Sequence, residues 1–316
     1  MQKEQKCAPV LIPTLCRYTH LKRCLESLKS NSLAKDTPLY IALDYPFEES
    51  HWEGYHAINE FLAGLNGFAG ITIIRRSENY GAVKNTDEAR NMIFEKYDRI
   101  IVSEDDNEFA PNFLEYINEG LDRFEDKKEV FAVCGYNYPA GMPRDYTVNH
   151  FYTGMFSAWG YGMWRDRFDQ LQMNYSIDYV KSILNNFKNV RKLNSHAEML
   201  LLHSLNMIRR NHLTGDTVIC LKLITENLYC VFPAVSKVRN HGYDGSGVHC
   251  GIDEGYNTQA IDDKKTFKYD ETDIRENKNI NLLIKHAVAL PFRVKIKSFL
   301  LYLFYRINLI KLLKYL

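Results

Sequence analysis

The chain has 316 residues, enough for two domains or one large α/β domain with appendages. Apolar residues make up 46 %, charged residues 25 % and aromatics 13 %, which excludes wholesale disorder, collagen-like repeats and a many-pass membrane protein. Lys+Arg 40 against Asp+Glu 39 leaves a net charge of +1, so the composition gives no support to a nucleic-acid partner.

That total hides an asymmetry. The segment 277–316 holds eight bases and no acid, leaving 32 bases against 39 acids, a net −7, in the rest of the chain. An acidic body ending in a basic, apolar tail points to an anionic membrane surface as a partner. The seven cysteines form no CxxC pair and no zinc spacing, and Cys16 and Cys24 read as small packed side chains. The first ten residues lack an apolar signal-peptide core, so the expected compartment is the reducing cytosol, at the inner face of the membrane.

In chain order, APVLIPT (8–14) reads as a strand and Thr19 to Lys29 as a helix with Leu21, Cys24, Leu25 and Leu28 on one face. PLYIALDYP is a second strand ending at Asp44, followed by a helix over 52–65. GITIIRR (70–76) is a third strand, 82–96 a helix, and DRIIVSEDD a fourth, buried strand running into three acids. This alternation predicts an α/β fold with a mostly parallel, Rossmann-like sheet flanked by helices. Ligands of such sheets sit beyond the carboxyl ends of the strands, where Arg17, Asp44 and Glu104-Asp105-Asp106 fall.

The second half is less regular. VFAVCGYN (130–137) reads as a strand, FSAWGYGMWRDRF (156–168) as a Trp/Gly-rich turn entering a helix, 195–211 as a helix and 228–240 as a late strand and connection. A Gly-rich loop, 241–251, and a polar stretch to about 280 follow. The tail is expected to be helical after Pro291, with an apolar run, Phe299 to Tyr305, far short of the roughly 20 residues of a membrane span. We divide the chain into a catalytic domain, 1–276, with halves 1–125 and 126–276, and a basic tail, 277–316, either an interfacial membrane anchor or a docked helix.

Three acids closing an apolar strand repel one another, and a divalent cation with oxygen ligands is a natural compensation. Such an ion bridges a substrate diphosphate and neutralises a leaving phosphate. The bland alternative is a solvated turn before the helix near Pro111.

VLIPTLCRYTHLKRCLESL, IALD and IIVSEDDNEFAPNFLEYINEGL resemble nucleotide-sugar-dependent glycosyltransferases of the A-type fold. The last segment is similar to the EDD-x-x-x-x-P-x-F stretch of the N-acetylglucosaminyltransferase I family and related bacterial enzymes, matched by Glu104, Asp105, Asp106, Pro111 and Phe113. The resemblance covers residues 8–120 well, 150–250 weakly, and not the tail. It implies that Asp106 ligates Mn²⁺ or Mg²⁺ at the diphosphate of a UDP-sugar donor. Glu104 and Asp105 would contact the donor sugar and ribose, and Arg17 and Asp44 the base. Asn79 and Lys84, in the loop after the third strand, are candidates to line the donor pocket.

An inverting transfer needs a general base for the acceptor hydroxyl. Asp216 in LTGDT fits the family's position, although the family's tryptophan-flanked acid pair is missing; Glu198 is second, and Asp166 and Asp169 read as helix residues. Trp159, Gly160, Tyr161 and Trp164 resemble the aromatic acceptor side, with Trp159 and Tyr161 against apolar sugar faces. Glycines in 241–251 give that loop the freedom to close over the donor, with His249, or His241, reaching the metal or diphosphate. The acceptor expected is a saccharide or lipid-linked saccharide in surface polysaccharide synthesis. Two other classes remain: a sugar-nucleotide nucleotidyltransferase, disfavoured because PTLCRYTHLKRC has no glycine, and a non-enzymatic membrane-surface module.

Overall fold

A computed structural model describes residues 7–245 and 253–309. Val10, Leu11 and Ile12 are fully buried and form β1 (Val10–Thr14) in the middle of the sheet. Helix α1 (Tyr18–Lys29) covers it with Leu21, Cys24, Leu25 and Leu28, one buried stripe at helical spacing. Then come β2 (Pro38–Leu43), α2 (Trp52–Ala63), β3 (Gly70–Arg75), α3 (Gly81–Phe94) and β4 (Arg99–Val102). The four strands are parallel, as the alternation predicts, and lie in the order β3-β2-β1-β4.

After the acidic turn, β5 (Asn107–Phe109) leaves this sheet and α4 (Phe113–Arg123) returns across it to β6 (Val130–Cys134), β7 (His150–Thr153) and β8 (Tyr161–Trp164). Five helices follow: α5 (Arg165–Gln172), α6 (Ile177–Asn185), α7 (Phe187–His196), α8 (Glu198–Arg210) and α9 (Gly215–Glu226). The chain ends its described part with β9 (Tyr229–Pro233), β10 (Val238–Asn240), α10 (Glu254–Asn257), α11 (Lys278–Ala287) and α12 (Phe292–Arg306). The main sheet has eight strands in the order β3-β2-β1-β4-β8-β6-β9-β7. Only β7 and β8 run against the others, so the protein has a mixed α/β fold with a mostly parallel sheet.

Several local expectations are corrected. The Trp/Gly turn is a strand over Tyr161–Trp164, inserted between β4 and β6 and buried on both faces, so no alternation marks it. Gly162 is needed there because α4 crosses close above: a β-carbon would lie 2.6 Å from Ile117 Cγ2. The single helix expected over 195–211 is two, broken at Ala197, whose extended backbone (φ −155°, ψ 125°) ends α7 and starts α8. LTGDT leads into α9, with Thr214 before its first residue and Asp216 in its first turn. The late strand is divided between β9 in the main sheet and β10 in a separate ribbon.

Two apolar clusters fill the two sides of the sheet. Alternate residues of β1 and β2 go to opposite clusters: Leu11 and Ala42 to one, Val10, Ile12 and Ile41 to the other. Both clusters draw on residues before and after 125, and Ile280, Ile284, Leu301 and Tyr302 of α11 and α12 join the first. One face of the tail is therefore docked on the body.

Candidate active site

The site opens where β1 and β4 part. Their pairing stops at Leu11↔Val102, while β1 continues to Thr14 alongside β2. Pro13 is tolerated in this inner strand because Pro9 and Leu11 face β4 through their carbonyls, so by alternation position 13 faces the same side, where β4 has ended. The acidic turn lies in the crevice this creates.

Asp105 and Asp106 are 5 % and 7 % exposed, and buried carboxylates require partners. Thr14 Oγ1 donates to Asp105 Oδ2 at 2.7 Å. The Arg17 guanidinium bridges the pair, on Asp105 Oδ1 and, at 2.8 Å, on Asp106 Oδ2. Burial works against the Arg17 charge, but the two aspartates outweigh it and raise its pKa. Burial also lifts Asp105, against the pull of Arg17. Glu104 is pushed up to about 8 by burial and then by the charges of Asp106, Asp216 and Asp105.

The second half of the chain closes on this turn through a two-stranded antiparallel ribbon. β10 pairs with β5 as Val238↔Phe109, Arg239↔Glu108 and Asn240↔Asn107. Asn240 Nδ2 donates to Asp106 Oδ1 at 2.7 Å and the His241 amide donates to the Asp106 carbonyl at 2.8 Å. A β-carbon on Gly242 would collide with Asp106 Oδ2. The His241 ring turns away to Glu108 Oε2, 2.7 Å off, and so does not reach Asp106; His20 meets Asp244 at 3.0 Å. His249 lies outside the described residues.

Asp216 stands in the first turn of α9. Its side chain is open to solvent, yet enough protein surrounds it that burial raises its pKa to about 6, opposed only by a backbone hydrogen bond from Ala158. Its charge contributes to the raised pKa of Glu104, Tyr138, Tyr161 and Tyr175.

Asp44 has another occupation than the one expected. Its oxygens accept the amides of Tyr45, Tyr80 and Gly81, each at 2.9 Å, and Asn79 Nδ2 at 3.3 Å. It is a cap on α3, supplied from the end of a neighbouring strand, and a negative charge at a helix N-terminus is stabilising. Asn79 also ties down the Tyr45 carbonyl at 2.7 Å. Lys84 lies over the Tyr80 ring at 3.8 Å, with Arg76 at 4.7 Å from the same ring. The structure thus does not bring Asp44, Asn79 and Lys84 to the acidic turn as free groups, and Arg17 is engaged there rather than beside Asp44.

The aromatic stretch divides. Trp159 is half-buried, 4.6 Å from Tyr136, 5.5 Å from Tyr256 and 5.9 Å from Tyr243, and the last two stack at 4.2 Å. It stands in an aromatic wall continuous with the Gly242 segment. Tyr161 is a core residue, 7 % exposed and packed on Phe156, which corrects its expected place on an open acceptor face. Trp164 is also core, its indole N–H on the Leu121 carbonyl. Glu198 pairs with Lys295 of α12 at 2.7 Å, and Asp166 with Lys128 and Arg167, so neither is poised as a base. Asn240, Thr14 and Gly242 are the partners that sequence reading did not assign; only the Gly-rich composition of 241–251 hinted at the last.

Among the described residues no group of three or more His, Cys, Asp or Glu forms a metal cage. A diphosphate-bound Mg²⁺ or Mn²⁺ does not need one, since such ions take one or two carboxylates plus phosphate oxygens. The hard oxygens of Asp105 and Asp106 suit them. Gly242 brings only backbone against Asp106 Oδ2, where a β-carbon would collide. The residues therefore fit a divalent ion held at Asp106. Two cavities of about 230 and 280 Å³, one lined by Lys237 and Asp262 and the other by Tyr146 and Glu276, include no member of the acidic turn.

No protein-family model matches the sequence, and no curated protein matches it significantly. Among solved structures the chain is similar to a mannosyltransferase of Pyrobaculum calidifontis in complex with GDP-Man and Mn²⁺, at 15 % identity and TM-score 0.36, over 54 % of this chain and 50 % of that one. It is similar to S. aureus TarS 1–349 in complex with UDP-GlcNAc at 13 % identity and TM-score 0.35, over 54 % and 48 %. The matched regions span about half of each of those chains. These likenesses are too remote to bear on this protein's donor, metal or acceptor.

Proposed function

We propose that this protein is a nucleotide-sugar-dependent glycosyltransferase of the A-type fold, using a UDP-sugar and acting by inversion. The observation that carries the reading is the Glu104-Asp105-Asp106 turn at the mouth of the β1–β4 crevice, held by Thr14 and Arg17 from the first half of the chain and by Asn240 from the second. The sequence resemblance over residues 8–120 supports it. Residues from both halves of the chain meet there, as a donor site facing an acceptor site requires.

In this reading Asp106 holds the divalent ion, with Asn240, His241 and Gly242 fixing its position. The bound ion would neutralise charge on the leaving diphosphate. Arg17 balances the carboxylates and orients Asp105. Glu104 and Asp105 contact the donor sugar and ribose. Asp216 takes the proton of the acceptor hydroxyl as its oxygen forms the new bond to the anomeric carbon; the bond to the diphosphate oxygen breaks and the nucleotide leaves with the electron pair. A base with a pKa of about 6 is ionised near neutrality and still basic enough to be useful. Trp159 offers an aromatic face to the acceptor, a saccharide or lipid-linked saccharide of surface polysaccharide synthesis.

Calorimetric titration of UDP, with and without Mn²⁺, into wild type and Asp106→Ala tests this. The expected result is metal-dependent binding that the variant loses. Folded wild-type protein that binds no UDP in either condition overturns the assignment.

A further inference from the structure

Helix α12 is held by one face. Ser298, Leu301 and Tyr302 are buried. The Tyr302 hydroxyl donates to the Leu184 carbonyl at 3.3 Å, that of Tyr305 to Asn185 Oδ1 at 2.9 Å, and Lys295 meets Glu198 at 2.7 Å. The opposite face is apolar and bare among the described residues. Phe292 is 76 % exposed and Phe299 58 %, with Ile296, Leu300, Leu303 and Ile307 also exposed. At about 100° per residue these six positions fall within an arc of about 100°, turned away from the docked side. Arg293 and Lys297 border the stripe on one side; on the other, Lys295 and Arg306 are turned to the body, to Glu198 and the Asn185 carbonyl. No Asp or Glu occurs from residue 277 to the end of the chain.

We propose that α12 is a membrane-surface helix, fastened to the body by one face and laying the other on an anionic lipid surface. Its 15 residues cannot cross a bilayer, and among the described residues no helix is long and apolar enough to do so. An apolar stripe with a basic border suits the headgroup boundary, where side chains enter the acyl region and bases meet lipid phosphates. The charge pattern selects this occupant over a second copy of the chain, because a two-fold contact through the stripe sets basic borders against each other.

The test is sedimentation of the full-length protein with phosphatidylcholine vesicles and with mixed phosphatidylcholine–phosphatidylglycerol vesicles. Wild type is expected to bind the mixed vesicles and to be released by salt. Phe299→Ser/Leu303→Ser and Arg293→Glu/Lys297→Glu should each lower the partition coefficient about tenfold or more with an unchanged circular-dichroism spectrum. Equal binding to both vesicle types, or binding to neither, overturns the proposal. So does a solution dimer that the serine pair converts to monomer without any vesicle binding.

Discussion

Gly242 presses directly against the carboxylate of Asp106, leaving no room for a β-carbon between them. The contact joins residues from opposite halves of the chain and sets the position of the acid proposed to hold the metal. Gly242→Ala is expected to displace Asp106 or the 241–242 segment, at a cost of about 1–3 kcal/mol in stability. Metal-dependent UDP affinity should fall at least about tenfold, one decade per 1.4 kcal/mol lost at the site. Calorimetry beside a thermal melt checks both, and unchanged affinity would contradict the role given to this contact.

Asp216 should control the chemical step and not donor binding. Asp216→Asn is expected to lower kcat by about 10²–10⁴-fold and leave UDP affinity unaltered. Its pKa is raised to about 6, so the acid is protonated and inactive below that pH. The wild-type kcat/KM profile should therefore rise through an acidic limb near pH 6. A variant that keeps both the rate and the limb would move the base elsewhere.

Asp44 should behave first as a structural residue. Its carboxylate accepts two backbone amides at the entrance to α3, Tyr80 and Gly81, and that of the neighbouring Tyr45. Asp44→Ala leaves these donors without a partner and is expected to cost about 2–4 kcal/mol. Denaturant unfolding measures it. A variant of native stability that had lost only UDP affinity would restore the base-binding role.

The His196–Glu276 pair, 2.9 Å apart, ties α7 to the segment before α11. Burial opposes the His196 charge, but the Glu276 hydrogen bond and charge raise its pKa; burial likewise opposes the Glu276 charge, and His196 lowers its pKa. The stability from a raised histidine is complete below its ordinary pKa of 6.5 and lost as pH rises through the folded value. That from a lowered carboxylate is complete above 4.5 and lost as pH falls through the folded value. The melting-temperature gap between wild type and Glu276→Gln should thus be widest between about pH 4.5 and 6.5, narrowing on both sides. A gap independent of pH would show that the pair is not charged in the fold.

The division between sequence and structure follows the range of the forces involved. Burial periodicity is local, so Leu21, Cys24, Leu25 and Leu28 mark a helix and Val10 to Ile12 a strand without reference to anything distant. The first four strands, their parallel direction and the position of the three acids at a strand end were legible for that reason. Tyr161–Trp164 was not, since its four residues form no aliphatic run like Val10 to Ile12, and its glycine answers to α4 crossing overhead. The partners of each site residue were likewise out of reach. Asn240 meets Asp106 across 134 positions of chain, and Asp44 is claimed by the amides of a turn 36 positions away. A carboxylate's identity states what it can accept. Which donors arrive is decided by how helices and sheet pack, because only packing brings distant amides within hydrogen-bond reach and shuts out the water that would otherwise compete for them.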